Sequence, residues 1–210
     1  MEILLSGGGH ASGGVVENEL LNEFFRGYPL QKLLILLRSP EENAFEAGAW
    51  IASELGRAVT SLVNDLSPFL EHPSPYVRYF IMDAILVGAT TMQGEALAKA
   101  VLAIRDQDVR VRQRALYFLA HATNDQLTAS GTYVHDVMIT ILLTWLLNAE
   151  DTHAFEQSVI ERLHDEDSLV RLFAVAAAAR HDWIDRALLE KAASSPDTDV
   201  SAFAERELKS

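Results

Sequence analysis

Five stretches of the chain share one pattern of apolar positions. They start at Ala44 (AFEAGAWIA), Val77 (VRYFIMDAI), Val111 (VRQRALYFL), Val170 (VRLFAVAAA) and Val200 (VSAFAEREL), and in each the residues at offsets 0, +3, +4, +7 and +8 are mostly small or apolar. In the second stretch these positions hold Val77, Phe80, Ile81, Ala84 and Ile85; in the fourth they hold Val170, Phe173, Ala174, Ala177 and Ala178. Such spacing draws a single apolar stripe along an α-helix, so each stretch is predicted to be a helix with one buried face.

A short turn cluster precedes each stretch: SPEEN, HPSPY, RDQD, HDEDS and SPDTD. Ser and Asp side chains accept bonds from the free N–H groups of a helix start, and Pro lacks the N–H that would go unpaired there. Upstream of each cluster lies a Leu-rich amphipathic segment: LQKLLILL, LVNDLSPFL, LAKAVLAI, SVIERL and RALLEKA. The predicted unit is therefore helix, tight turn, helix. Successive anchors lie 33, 34, 59 and 30 residues apart, the period of stacked helical hairpins interrupted once.

The turn acids and the pairs Val77-Arg78, Val111-Arg112 and Val170-Arg171 resemble HEAT repeats. The resemblance runs from about residue 30 to residue 210. It implies an all-α fold, a right-handed α-solenoid of about five HEAT-like hairpins. It also implies that Arg78, Arg112 and Arg171, which look like a basic ladder, bond to the turns and to the next repeat. About function it implies little, because HEAT-like repeats serve scaffolds, adaptors, inhibitors, lyases and a few DNA glycosylases.

No Pro/Gly/Ser-rich linker interrupts the chain after residue 30, and residues 16–210 read as one repeat domain. Residues 1–15 read as a flexible Gly-rich segment; its SGGGHASGG run has no following Gly-Lys-Ser/Thr and is not a phosphate loop. Residues 16–26 are expected to form an amphipathic helix capping the first repeat. The pattern fails near 122–155. There ATNDQLTASG reads as a loop, residues 132–148 as a long apolar helix and NAEDTH as an acidic break. A degenerate repeat and an inserted helix explain that interval equally well. Insertions often carry specific function, whereas Ile139, Ile141, Leu142, Leu143, Trp145 and Leu146 would equally suit the filling of a groove.

With 30 acidic and 17 basic residues the formal charge is −13, which argues against a grip on nucleic-acid phosphates and favours a basic protein partner. There is no cysteine, and hence no disulfide, thiolate metal site or thiol nucleophile. The opening MEILL lacks a basic n-region, and the longest apolar run, VMITILLTWLL, falls short of the roughly 20 residues that span a bilayer. A cytoplasmic protein without a membrane segment is expected.

Chemistry finds little foothold. The seven histidines, at 10, 72, 121, 135, 153, 164 and 181, form no HExxH or other ligand spacing, and no G-x-S-x-G elbow occurs. The paired acids Glu41/Glu42, Asp165/Asp167 and Asp197/Asp199 sit at helix starts, where negative charge favours the helix dipole. No catalytic residue, cofactor site or metal site is assigned.

The residues that the register turns away from the core are more informative. If the second helices line up side by side, equal offsets form columns on a shared face. Offset +2 gives Glu46, Tyr79, Gln113 and Leu172; offset +6 gives Trp50, Asp83, Tyr117 and Ala176; Ser53, Glu54, Leu86, Val87, Ala120 and His121 follow at +9 and +10. Aromatics interleaved with acids suit a basic partner, so Glu46, Trp50, Glu54, Tyr79, Asp83, Gln113 and Tyr117 form the expected partner-binding set. The alternative for Trp50 and Tyr117 is packing against neighbouring repeats. Small, acidic, cysteine-free HEAT-like chains also resemble immunity proteins of bacterial toxin systems, which implies a cognate toxin as the partner. Competing readings are an adaptor or chromophore lyase, with a tetrapyrrole pocket near Trp145, and a DNA glycosylase using Trp50, Tyr117 and Asp83.

Overall fold

The computed structural model describes residues 14–148, 153–180 and 186–209. Most of the glycine-rich opening (1–13) and of the acidic break (149–152) lies outside the described residues. Among those described, every regular element is a helix. In order they are α1 Val15–Phe25, α2 Leu33–Leu37, α3 Glu42–Glu54, α4 Val63–Leu66, α5 Pro75–Gly88, α6 Gly94–Leu102 and α7 Val109–His121. There follow α8 Asn124–Gly131, α9 Val137–Leu147, α10 His153–Leu163, α11 Ser168–Arg180, α12 Arg186–Ala193 and α13 Thr198–Glu207. The all-α helical-repeat class expected from the periodicity is the class observed. The five anchors fall on α3, α5, α7, α11 and α13, and Ala44, Val77, Val111, Val170 and Val200 are all buried. Phe80 departs from the pattern: it is only half-buried and packs on the rings of Tyr76 and Tyr79, with centroids 4.6 and 5.1 Å away.

One device recurs in all five turns. The residue five before each anchor accepts a hydrogen bond from the backbone N–H two positions on, holding the chain ready for the helix. Ser39 Oγ takes Glu41 N (3.1 Å), His72 Nδ1 takes Ser74 N (3.1 Å) and Asp106 Oδ1 takes Asp108 N (2.8 Å). Asp165 Oδ1 takes Asp167 N (2.8 Å) and Ser195 Oγ takes Asp197 N (3.2 Å).

The arginines one residue past the anchor close the same turns from above. Arg78 donates to the carbonyls of His72 and Pro73, Arg112 to those of Asp106 and Gln107, and Arg171 to those of Asp165 and Glu166. Arg112 also pairs with Asp199 (2.7 Å) and Arg171 with Asp197 (2.6 Å), so the apparent basic ladder ties turns to a neighbouring repeat. The acids do the work expected of them at helix starts: Asp167 Oδ1 accepts from Leu169 N, and Asp197 Oδ1 from Asp199 N and Val200 N.

The chain divides into two compact units, one ending at Ala96 and the other beginning at Leu97. The division falls inside α6, where there is no linker for composition to reveal. In the first unit α3 packs on α2, α5 and α1. Gly48 lets α3 and α2 approach closely: a Cβ there would stand 2.9 Å from Leu36 Cβ and 3.2 Å from Leu37 N. The helices leading into the two turns of this unit are short. α2 has 5 residues behind a 3-10 turn, and α4 has 4 residues between two 3-10 segments.

In the second unit α11 lies at the centre, against α7, α9, α10, α12 and α13, and every residue from Leu172 to Ala178 is buried. The irregular section also differs from expectation. Residues 124–131 are helical rather than a loop, because Thr123 and Gln126 form a reciprocal capping box that starts α8. The apolar helix is correspondingly shorter than 132–148: α9 begins only at Val137, where Asp136 Oδ1 accepts from Ile139 N (3.0 Å).

Candidate functional site

In the first unit, residues from three elements enclose a cleft of about 350 Å³. Its lining is Gly14, Glu17 and Asn18 from the start of α1, Asn43, Glu46, Ala47 and Trp50 from α3, and Tyr76 from the first turn of α5. Helical periodicity explains the α3 contribution, since positions 43, 46, 47 and 50 share one face. Gly14 adopts φ 78°, the left-handed region that glycine enters without penalty, and caps α1 there. Its carbonyl accepts from both the backbone and the side-chain nitrogen of Asn18, fixing the first turn that carries Glu17.

The electrostatics of the cleft are acidic. Burial first, then the charges of Glu46 and Glu17, push the Tyr76 phenol above its ordinary value of 10.0. Ser74 Oγ donates to Glu46 Oε1 at 3.4 Å, linking that carboxylate to the His72 turn. Glu17 Oε2 is sealed from solvent and has no hydrogen-bond donor. Trp50 is half-buried on the same wall as Glu46, one helical turn away. Two carboxylates beside two aromatic rings can hold a cation by charge, hydrogen bonds and cation–π attraction. Among the described residues no group of three or more His, Asp or Glu is arranged to hold a metal ion.

The predicted set is only partly brought together. Glu46 and Trp50 line the cleft, while Glu54 is exposed at the end of α3 and Tyr79 and Asp83 are half-buried on α5 outside it. Gln113 is buried rather than presented at the surface. Its Nε2 donates to the Asp199 carbonyl (2.8 Å) and its Oε1 accepts from Arg206, so the amide joins α7 to α13. Tyr117 remains partly exposed on α7, with its ring 4.2 Å from that of His121, which in turn meets Glu207 at 2.9 Å. Leu172 and Ala176, from the same two columns, are buried.

Glu17 and Tyr76 were missed by the register argument because neither belongs to a repeated second-helix offset. The available signals were an acid in the first turn of the capping helix and a tyrosine in the otherwise polar HPSPY turn.

No family model matches the chain, and no curated protein matches it. Among solved structures it is similar to a designed armadillo repeat protein, with a TM-score of 0.43 and 18% identity over 86% of this chain and 98% of that one. It is also similar to two engineered proteins at 18% identity. One has a TM-score of 0.46 over 87% of this chain and 98% of the other; the second has 0.43 over 86% and 78%. Likeness at this level says nothing of function.

Proposed function

We propose that this chain is a non-catalytic protein-binding module, and that the acidic, aromatic cleft of its first unit takes a basic protein partner. The observation that carries this reading is the meeting of Glu17 and Glu46 with Trp50 and Tyr76 in one cleft, in a chain of net charge −13. Trp50 and Tyr76 supply the contact area, and the negative charge of Glu17 and Glu46 steers a basic surface toward it. In its finer form the module is an inhibitor of the immunity type, neutralising a basic toxin by covering it; the acidic charge is what recommends that form.

The chromophore-lyase reading is less favoured by the surroundings of Trp145. Its Nε1 donates to Ser158 Oγ (3.2 Å), the Arg162 guanidinium lies 4.5 Å from its ring, and Phe155 packs beside it. That ring is engaged within the fold.

The test is affinity capture from the native host at low and moderate salt, with bound proteins identified by mass spectrometry. A basic protein retained by the native chain and lost on Trp50→Ala with Glu46→Lys is the expected result. Capture of no basic protein, or of one indifferent to both changes, would remove the cleft from the reading.

A further inference from the structure

The cleft lies at the low end of the size range of ligand sites. Small-molecule pockets span about 300–1,000 Å³, and about 350 Å³ has room for one long side chain but not for a folded segment. Its polar groups are unevenly satisfied. Asn18 is committed to the Gly14 carbonyl and Glu46 to Ser74, but Glu17 Oε2 has no donor although it is shut off from water. A buried carboxylate oxygen without a donor is destabilised, more so than a neutral acceptor, so the Glu17 carboxylate gains from an N–H group brought into the cleft.

The two carboxylates come from different helices, and Tyr76 feels both. A ligand that satisfies both must therefore present donors in more than one direction while offering a face to the indole of Trp50. An ammonium group is a compact point charge. A guanidinium is flat, carries five N–H donors in a fork and stacks on aromatic rings.

Resting on the reading of this cleft as the seat of a basic partner, we propose that it receives one arginine side chain of that partner, with the guanidinium against Trp50 and hydrogen-bonded to Glu17 and Glu46. Arginine is thereby the anchor of the interface, and lysine at the same position is a poor substitute. The carboxylate of Glu17, which the repeat register does not reach, is the group that separates the two.

The experiment titrates the full chain with two capped tripeptides, acetyl-Gly-Arg-Gly-amide and acetyl-Gly-Lys-Gly-amide, and follows the Trp50 indole N–H resonance, assigned through Trp50→Phe. The arginine peptide is expected to shift that resonance and to bind about tenfold more tightly than the lysine peptide. Glu17→Gln, which keeps shape and removes charge, is expected to weaken the arginine peptide about tenfold while leaving the melting temperature within a degree or two of the native chain. Equal response to both peptides would overturn the guanidinium assignment, and an unmoved Trp50 resonance would overturn the site. Either failure leaves the broader reading standing if a captured basic partner is still lost on Trp50→Ala with Glu46→Lys. If the peptide binds but no arginine-to-lysine change in the captured partner weakens capture, the cleft serves a free organic cation and the partner assignment falls.

Discussion

The same repeat offset meets different fates in the two units. At offset +2, Glu46 and Tyr79 of the first unit are half-buried, whereas Gln113 and Leu172 of the second are buried; at offset +6, Trp50 and Asp83 are half-buried, and of their second-unit counterparts Ala176 is buried while Tyr117 stays exposed. The cause is a neighbour. In the second unit α13 packs against both α7 and α11, tied by Arg112–Asp199, Arg171–Asp197 and the Gln113 amide, so the offset +2 positions that a simple row of helices would leave open are covered. Periodicity identifies the stripe that must be buried. It does not say whether the opposite stripe finds a partner as well.

The comparison is broken most forcefully at the centre of α11. Phe173 is fully buried there, and Phe173→Ala is expected to cost about 3–5 kcal/mol in urea unfolding followed by far-UV circular dichroism. Trp50→Ala, at a half-exposed position of the cleft, should cost far less. Comparable losses at the two positions would show that the cleft wall is as much a core as α11 is.

A second, smaller effect separates arginines that tie repeats from those that decorate them. Arg171 makes two bonds to Asp197 Oδ2 and two to turn carbonyls, with only 20% of its side chain exposed, so Arg171→Ala should destabilise by about 1–3 kcal/mol. Arg110, 60% exposed, pairs with Asp108 two residues away, and Arg110→Ala should stay within about 0.5 kcal/mol. Equal melting temperatures for the two variants would remove the arginine ties from the account of how the second unit is closed.

These contrasts mark how far the sequence can be read. The five second helices, their buried anchors and the acids and arginines of their turns follow from local pattern, because each depends on residues within about two helical turns of one another. α11 was legible too: SLVRLFAVAAAAR has almost no polar face after Arg171, and a helix apolar all round is an enclosed helix. Even the start of α8 was written as Thr123-x-x-Gln126, a capping-box signature hidden by the surrounding loop-like residues. The cleft was only half legible. Glu46 and Trp50 follow from register, but Glu17 and Tyr76 arrive through packing of α1 and the start of α5 onto α3, and no local rule places them there. The burial of Gln113 likewise depends on Asp199 and Arg206, which lie 86 and 93 residues away in sequence.

The smallest expected effect distinguishes the turns themselves. Four of them use Ser or Asp as the acceptor five residues before the anchor; the second uses His72, whose Nδ1 must be unprotonated to accept the Ser74 N–H. Burial, and then the nearby Arg78 charge, lower the pKa of His72 below its ordinary 6.5. Because the folded value is the lower one, the unfolded chain takes up this proton first as pH falls. The contribution of neutral His72 is therefore complete above about pH 6.5 and is lost as pH drops through the window between the two values. Substituting His72→Asp keeps an acceptor at the position, removes the ring that packs at a tilt against Phe45 with centroids 4.8 Å apart, and should flatten the fall in urea midpoint between pH 7.5 and pH 5.5 relative to the native chain. A native chain and a His72→Asp chain with parallel pH profiles would show that the His72 turn responds to pH no differently from the aspartate turns. Since Ser74 also bonds Glu46, the same protonation should loosen one wall of the cleft, and the arginine peptide should bind more weakly at pH 5.5 in the native chain than in His72→Asp.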